Sequence, residues 1–245
     1  MLELKNVTFD VNVDSNDKEI IRDVSLTIPD GKLVVITGPN GGGKSTLAKL
    51  IAGIEKPTSG KIFFDGEDIT ESSITDRAKK GIGFAFQQPV RFKGITVLDL
   101  IRLASGKNVS VEDACQYLSE VGLCAREYIK REVNGSLSGG ELKRIEIATI
   151  LARATQLSLF DEPEAGIDLW SFGSLITVFE NLYKKIKGNI IIISHQERIL
   201  NIADRIIVLA NGVVSADGTK EEVLPSLMRT SNICTKLTDS EGGMR

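Results

Sequence analysis

The sequence has few residues of the kinds that bind transition metals or form disulfides. It contains one histidine and three cysteines in 245 residues, and the cysteines lie far apart at Cys115, Cys124 and Cys234. An odd number of cysteines without a CxxC pair excludes a disulfide framework and a zinc site as predictions. We therefore expect reduced, structural thiols, and the single His195 stands out as a candidate functional residue.

Long apolar runs and an excess of positive charge are also missing. No stretch reaches the roughly 18 to 20 apolar residues that cross a bilayer, and the amino-terminal residues lack an export signal. The formal net charge of -3 argues against a broad basic surface for nucleic acid. These features predict a cytoplasmic protein with no nucleic acid partner and no direct membrane insertion.

The composition is that of a globular α/β protein. Hydrophobic residues make up 42% of the chain and charged residues 26%, which suits one large domain or a domain with an inserted lobe. Alternating apolar and polar residues at 2–9 and 20–28 predict an antiparallel hairpin, in a β-rich lobe that continues to residue 86. Apolar strands predicted at 33–37, 157–160 and 189–193 alternate with helices, which indicates a largely parallel core sheet.

Residues 96–133 have helical periodicity. The candidate buried positions there are Leu98, Ile101, Leu103, Ala114, Tyr117, Leu118 and Val121. The pattern predicts a helical subdomain at 96–135, inserted in a core made of residues 1–95 and 136–229, and a polar tail at 230–245. Near the end of the core, Asn211 and Gly212 predict a tight turn. Thr219 and Glu222 have the spacing of a capping box that opens a last helix.

A glycine-rich loop joins the strand at 33–37 to a helix predicted at 45–54. The loop reads GPNGGGKST, an instance of GxxxxGK[ST] between a strand and a helix. Its glycines allow backbone N–H groups to surround phosphate oxygens, while Lys44 reaches the β and γ phosphates and Ser45 binds magnesium. The predicted nucleotide-binding residues of this loop are Gly38, Pro39, Asn40, Gly41, Gly42, Gly43, Lys44, Ser45 and Thr46.

Two acids end the apolar strand at 157–160. Asp161 is predicted to bind magnesium, directly or through water. Glu162 is predicted to be the general base that accepts a proton from the attacking water. An Asp-Glu pair at a strand end is more often a solvated turn, and the phosphate loop is what favours the catalytic interpretation here.

Residues 137–141 read LSGGE ahead of a helix. Ser138 and Glu141 have the spacing of a capping box, and Gly139 and Gly140 leave the first backbone N–H groups open to a phosphate. With this pentapeptide the sequence resembles the ABC ATPase family of P-loop NTPases. The resemblance covers nearly the whole chain and implies a Mg-dependent ATPase with ATP and Mg²⁺ as cofactors. It also implies a mixed, largely parallel core sheet, an antiparallel β lobe and a helical insert.

Further motifs follow in the order typical of that family. The resemblance implies that Gln87 contacts ATP and its magnesium, together with Ser45 and Asp161. It implies that Asp168 lies in a loop that crosses a dimer interface. It also implies that His195 contacts the γ-phosphate and acts with the other catalytic residues, which are Lys44 and Glu162.

Four positions depart from the family pattern or leave it open. Gln88 neighbours Gln87, which the register of the preceding strand favours. Val11 stands where the family has an aromatic residue against adenine, with Phe9 nearby, so the adenine is expected to pack weakly or against aliphatic groups. Gly42 replaces a common Ser or Ala, and Glu164 adds a third acid whose purpose the sequence leaves open.

The resemblance also implies that the active site is shared between two chains. Ser138, Gly139 and Gly140 are expected to contact ATP bound to a second copy, which implies a transient, ATP-dependent homodimer. Hydrolysis would then weaken that interface, so that opening and closing is the mechanical output.

Three stretches, at 85–96, 131–144 and 194–200, resemble the ATPase of the Suf iron-sulfur cluster assembly system. This resemblance implies Suf-type scaffold subunits as partners and an ATPase that rearranges them. The first alternative is the nucleotide-binding subunit of a membrane ABC transporter, with a membrane permease as partner. The second alternative is an ATP-gated interaction module that barely hydrolyses, and the intact Glu162 and His195 argue against it.

Overall fold

The amino-terminal strands with alternating apolar and polar residues belong to one sheet, and the mostly apolar strands belong to a second, separate sheet. The computed structural model describes residues 1–13, 16–185 and 188–227. The strands are β1 Leu2–Val13, β2 Asn16–Ile28, β3 Leu33–Thr37, β4 Ser59–Phe64, β5 Glu67–Asp68, β6 Ile82–Ala85, β7 Leu157–Asp161, β8 Asn189–Ile193, β9 Arg205–Ala210 and β10 Val213–Thr219. The helices are α1 Lys44–Ala52, α2 Ile74–Lys79, α3 Val97–Ser105, α4 Val111–Glu120, α5 Ala125–Tyr128, α6 Gly139–Arg153, α7 Leu169–Lys185 and α8 Glu197–Asn201.

The amino-terminal strands form an antiparallel sheet in the order β2-β1-β4-β5. In the hairpin, Leu2 lies opposite Ile28 and Leu4 opposite Leu26. These four side chains are buried, as expected for the apolar positions of alternating strands that cover a core on one face. The predicted hairpin is confirmed, and both of its strands are longer than predicted.

The apolar strands form a six-stranded sheet in the order β10-β9-β3-β8-β7-β6. Neighbours from β9 to β6 pair in parallel, and β10 pairs antiparallel with β9. This confirms the mixed, largely parallel core sheet. The assignment of residues 82–86 to the β-rich lobe is wrong, because β6 pairs in parallel with β7 in the core sheet. Its short, mostly buried run suits a parallel strand covered on both faces.

The core sheet has a separate hydrophobic core on each face. Along β3, Leu33 and Val35 join one core, and Val34 and Ile36 join the other. This division follows from the period of two along a strand. The first core contains the buried residues of the helical segment, and the second contains those of the β lobe and α1. Because the helical segment shares its core with the sheet, the subdomain bounds at 96–135 stay a prediction.

The helical segment packs through one stripe of residues. Ile101, Ala114, Leu118 and Val121 are fully buried, as predicted. The prediction that Leu103 is buried is wrong, since 67% of this residue is exposed. In α3 the buried residues lie four apart, at Val97 and Ile101, and Leu103 falls on the other side of the helix. Among the described residues, no helix combines the length and the apolar character that crossing a bilayer requires.

The turn after β9 contacts the phosphate loop directly. Asn211 and Gly212 both have positive φ, of 52° and 78°, as a two-residue hairpin turn requires. The Gly212 N–H donates to the carbonyl of Gly42 at 3.2 Å. A Cβ at position 212 would lie 2.6 Å from the carbonyl oxygen of Ile20, so the turn has room only for glycine there.

The carboxyl end of the described chain follows the predicted pattern. Residues 220–227 are helical, and the Thr219 N–H donates to the Glu222 carboxylate at 2.8 Å. That bond is one half of the predicted capping box. Cys115 and Cys124 are free thiols. Cys234 and the predicted tail at 230–245 lie outside the described residues.

A buried arginine caps α1, the helix that follows the phosphate loop. Arg77 has no exposed surface, and its guanidinium donates to the carbonyls of Leu50 and Ile51, the latter at 2.9 Å. These carbonyls belong to the last turn of α1, where the next helical N–H donors are missing, and the Leu50 carbonyl also accepts from the Gly53 N–H at 3.2 Å. Gly53 ends the helix with φ 77°, and a Cβ there would lie 2.8 Å from Arg77 Nε.

Candidate nucleotide site

The phosphate loop has glycines at positions where neighbouring backbone atoms leave no room for a Cβ. A Cβ at Gly38 would lie 2.1 Å from the carbonyl oxygen of Leu209, and one at Gly43 would lie 2.9 Å from that of Ile20. Gly43 precedes α1 with φ 96° and provides no side-chain cap. The first turn of α1 also has no acidic residue. Its backbone N–H groups and the positive end of the helix dipole are therefore available to an anion.

Lys44 lies folded back against its own loop. It is 6% exposed, and its ammonium donates to the carbonyls of Gly38 and Pro39 at 2.9 Å each. A buried ammonium needs such partners, because desolvation of an unpaired charge is costly. The loop backbone therefore holds the Lys44 ammonium in place, and the same backbone would surround a bound phosphate.

Ser45 and Asp161 form the pair best suited to a divalent cation. The Ser45 hydroxyl donates to Asp161 Oδ1 at 2.9 Å. Burial raises the pKa of Asp161, and the hydrogen bond from Ser45 opposes that rise. Among the described residues, no group of three His, Cys, Asp or Glu is placed to hold a metal. One carboxylate and one hydroxyl fit Mg²⁺, which takes few protein ligands and completes its shell with water and phosphate oxygens.

Gln87 and Glu162 meet across the site. The Gln87 amide donates to Glu162 Oε2 at 2.5 Å, although the residues lie 75 positions apart in sequence. Glu162 follows β7 with φ 43°, a left-handed conformation that is rare for residues other than glycine. Its N–H donates to the Ile193 carbonyl at 3.0 Å. Such a conformation is retained where the surrounding structure fixes it, often at functional sites.

These groups line one cavity of about 510 Å³. Its lining consists of residues from the phosphate loop and four residues outside it: Asn40, Gly41, Gly42, Gly43, Lys44, Ser45 and Thr46, with Lys18, Ile20, Gln87 and Glu162. Val11, the expected neighbour of adenine, is 36% exposed and lies opposite Lys18 in the hairpin. The sequence reasoning missed Lys18 and Ile20, which the pairing register of the hairpin would have located.

Glu164, whose purpose the sequence left open, anchors the loop that carries His195. The buried Ser194 hydroxyl donates to Glu164 Oε1 and accepts from the Gln196 N–H at 3.0 Å. Burial raises the pKa of Glu164, whose Oε2 has no hydrogen-bond partner among the described residues. His195 itself is exposed and is not among the residues that line the 510 Å³ cavity.

The LSGGE segment forms the predicted helix start. Ser138 caps α6, with its hydroxyl accepting from the Glu141 N–H at 3.3 Å, and Glu141 accepts from the Ser138 N–H at 2.6 Å. Tyr128 donates to the other oxygen of Glu141. A Cβ at Gly140 would meet no described atom within 4 Å. The described chain therefore gives no steric reason for glycine at position 140.

A second surface cavity, of about 530 Å³, lies against this helix start. Its lining residues include Ser138, Gly139, Gly140, Glu141, Gly166 and Asp168. The structure thus brings the LSGGE segment together with Asp168. The phosphate loop lines a different cavity, which has no lining residue in common with this one.

A larger cleft, of about 680 Å³, lies at the opposite end of the core sheet. It is lined by residues that precede β7 and β8, among them Gln156 and Gly188, and by Tyr117 of α4. None of the motif residues lines it. Ligands of open α/β sheets bind at the carboxyl ends of the strands, so the smaller cavity at the phosphate loop is the candidate nucleotide site.

The fold and this site define a P-loop nucleoside triphosphatase. A family model described as ABC transporter matches residues 21–165. The ABC transporter ATP-binding protein MJ0035 of Methanocaldococcus jannaschii, described as uncharacterized, is 40% identical over 223 residues, which cover 87% of this chain and 88% of that protein. The energy-coupling factor transporter ATP-binding protein EcfA1 of Mycoplasma mobile is 35% identical over 91% of this chain and 82% of its own length.

A solved structure shows the same fold. The ATP-binding cassette MJ0796, in a dimeric post-hydrolysis state bound to ADP and Pi, is 28% identical with a TM-score of 0.79, over 90% of this chain and 99% of that chain. The chain belongs to the ABC transporter family, and it is an ATPase that converts ATP to ADP and phosphate. The predicted fold class and enzyme class are confirmed.

The buried carboxyl of Glu164 generates a prediction about pH. Its pKa is raised from 4.5, so the folded chain keeps a proton that the unfolded chain loses, and the free energy of unfolding falls as pH rises above 4.5. Glu164→Gln keeps an acceptor for Ser194 and has no titration. We expect urea unfolding between about pH 4 and about pH 7 to show the variant gaining stability relative to wild type. Parallel curves for the two proteins would contradict this account.

Proposed function

We propose that this chain is the ATP-binding subunit of a membrane ABC transporter and that it works as a transient, ATP-dependent homodimer at the cytoplasmic face of a permease. The observation that carries the dimer is the separation of the phosphate loop from the LSGGE segment. Each surface offers half of a triphosphate site. A second copy supplies the missing half when the two chains face each other.

The proposed roles within one copy follow the geometry of the phosphate-loop cavity. The backbone of residues 38–46 and Lys44 bind the phosphates, with Lys44 exchanging the Gly38 and Pro39 carbonyls for phosphate oxygens. Ser45, Asp161 and Gln87 would hold Mg²⁺. The bound ion would neutralise charge on the β and γ phosphates. Lys18 and Ile20 provide an aliphatic surface for the adenine.

Glu162 is proposed as the general base and His195 as a contact to the γ-phosphate. Glu162 lies at the carboxyl edge of the sheet with one oxygen held by Gln87, so a water between it and the phosphate loop would have an acceptor for its proton. Glu164 holds the loop of His195 through Ser194. The proposed contacts to the partner's ATP come from Ser138, Gly139 and Gly140, with Asp168 beside them.

The permease is favoured over Suf-type scaffold subunits by the names of the relatives. MJ0035 and EcfA1 are both named as transporter ATP-binding proteins. The Suf resemblance consists of local sequence similarity alone and receives no support from these relatives, so it stays a prediction. Phe86 and Val90, which flank Gln87, are 38% and 49% exposed and offer apolar surface for a partner.

The base is tested by Glu162→Gln. We expect this variant to lower kcat by about 10²- to 10⁴-fold, because an amide cannot accept the proton, while ATP binding and the ATP-bound dimer persist. The matched control is Glu180→Gln, which changes an exposed carboxylate of α7. The measurements are steady-state phosphate release and the lifetime of the dimer by size-exclusion chromatography. Normal turnover of Glu162→Gln would remove this residue from the role of base.

The shared site is tested by mixing two inactive variants. Lys44→Ala damages the phosphate-binding half, and Ser138→Arg blocks the half that meets the partner's ATP. A heterodimer of the two retains one intact composite site, so an equimolar mixture should recover roughly one quarter of wild-type ATPase activity. The control mixture is Lys44→Ala with Glu162→Gln, whose defects lie in the same half, and it should recover nothing. Absence of recovery in the first mixture would count against a shared site.

The partner is tested by affinity purification of the chain from detergent-solubilised native membranes and from the soluble lysate. We expect integral membrane proteins to co-purify, and Val90→Glu to lose them while its ATPase activity persists, because it places a charge on the proposed contact. Val213→Glu, at an exposed valine of β10, is the matched control that should retain them. Recovery of soluble iron-sulfur scaffold proteins would reverse the assignment in favour of the Suf-type function.

A further inference from the structure

Phe86, the residue before Gln87, has both its backbone N–H and its backbone carbonyl bonded to side chains of one helix. The Phe86 N–H donates to Glu146 Oε1 at 3.1 Å, and the Lys143 ammonium donates to the Phe86 carbonyl. Lys143 and Glu146 lie one turn apart on α6, 57 and 60 positions from Phe86 in sequence. We call these two side chains the Phe86 clamp.

The clamp places two ionisable groups in a mostly buried position. The side chains of Lys143 and Glu146 are 2% and 16% exposed, and their charged atoms lie 3.8 Å apart. Burial raises the pKa of Glu146 to about 7 and lowers that of Lys143. Apolar side chains of similar size often stabilise a fold as well as a buried ion pair does. Packing therefore does not explain why these two positions carry charged side chains, whereas their hydrogen bonds to the Phe86 backbone do.

The clamp joins two surfaces that lie in different cavities. The helix of Lys143 and Glu146 begins at the capped Ser138, in the surface proposed to meet the partner's ATP. Phe86 immediately precedes Gln87, whose amide holds Glu162. Phe86 packs edge-on against Phe84 of β6 at 4.8 Å between ring centroids. The loop of Gln87 is thus fixed to the core sheet on one side and to α6 on the other.

We propose that Lys143 and Glu146 are positioning residues that hold the Phe86 backbone and thereby set Gln87 against Glu162. When the amino end of α6 meets a second copy, a shift of α6 moves Phe86 and, with it, Gln87. The hydrogen bond from Gln87 to Glu162, the proposed base of the same chain, then changes. This inference rests on the proposed roles of Gln87 and Glu162, and it adds a path between the two halves of the site.

The path is tested by Glu146→Ala, which removes the acceptor of the Phe86 N–H. We expect kcat for ATP to fall by about 10- to 100-fold with KM within about threefold, because a small misplacement of Gln87 affects turnover more than nucleotide binding. Glu146→Gln keeps an oxygen for the Phe86 N–H and should stay within about threefold of wild-type kcat. The control is Glu112→Ala, at an exposed carboxylate of α4, which should leave both constants unchanged.

A double-mutant cycle distinguishes a role of Glu146 in positioning Gln87 from a general loss of structure. If Glu146 acts through Gln87, adding Glu146→Ala to Gln87→Ala causes no further loss of kcat. Multiplied losses would overturn the proposal, as would a Glu146→Ala variant with wild-type kcat beside a slow Gln87→Ala. A Gln87→Ala variant with wild-type kcat would instead overturn the proposed role of Gln87 and the clamp together.

Hydrogen exchange tests the clamp with Lys143, Glu146 and Gln87 unchanged, first in the wild-type chain and then in Glu162→Gln. Phe86 is exposed, yet its amide donates to a carboxylate on a mostly buried side chain. We expect that amide to exchange slowly, and addition of ATP with Mg²⁺ to Glu162→Gln, where the dimer persists, to change its rate. Exchange as fast as that of an unbonded amide would overturn the clamp.

Discussion

The parallel register of β3, β7 and β8 is the constraint on which the site depends. Ile193 at the end of β8 lies opposite Ile36 of β3 and Asp161 of β7. Parallel strands with aligned ends deliver the loops that follow them to one edge of the sheet. The phosphate loop, the Asp161-Glu162 pair and the loop of Ser194 and His195 therefore meet although they are far apart in sequence. A slip of one residue in β7 would turn Asp161 to the opposite face of the sheet.

Burial of charge is the cost of assembling the site at that edge. Burial raises the pKa of Asp161 and Glu164, and that of Glu146 on the neighbouring helix rises to about 7. These carboxyls are paired with a hydroxyl or an ammonium, and two of them, Glu164 and Glu146, retain an oxygen with no hydrogen-bond partner among the described residues. Functional sites are where desolvated groups with shifted pKa values accumulate. The left-handed backbone of Glu162 adds conformational strain in the same place.

Local chemistry made much of this predictable from the sequence. The phosphate loop, the Ser138 cap and the buried strands depend on residues within one or two turns of each other, and each was located. β6 belongs to the core sheet because it pairs with a strand more than 70 residues away. The hydrophobic periodicity of residues 82–86 does not indicate which strand they pair with. Contacts such as Glu164 with Ser194, or Phe86 with Glu146, depend on side chains that only the tertiary fold brings together, so the sequence left their roles open.

The two LSGGE glycines differ from the glycines of the phosphate loop in a way that bears on the dimer. Gly38 and Gly43 are required by the chain itself, because a Cβ at either position would collide with a backbone carbonyl. Gly140 has open space around it, and Gly139 has only the Gly166 carbonyl at 3.4 Å. A Cβ at position 140 would meet no described atom, although it would lie beside the first N–H groups of α6. Glycine at position 140 keeps these N–H groups accessible. That accessibility matters only for a group that comes from outside the chain.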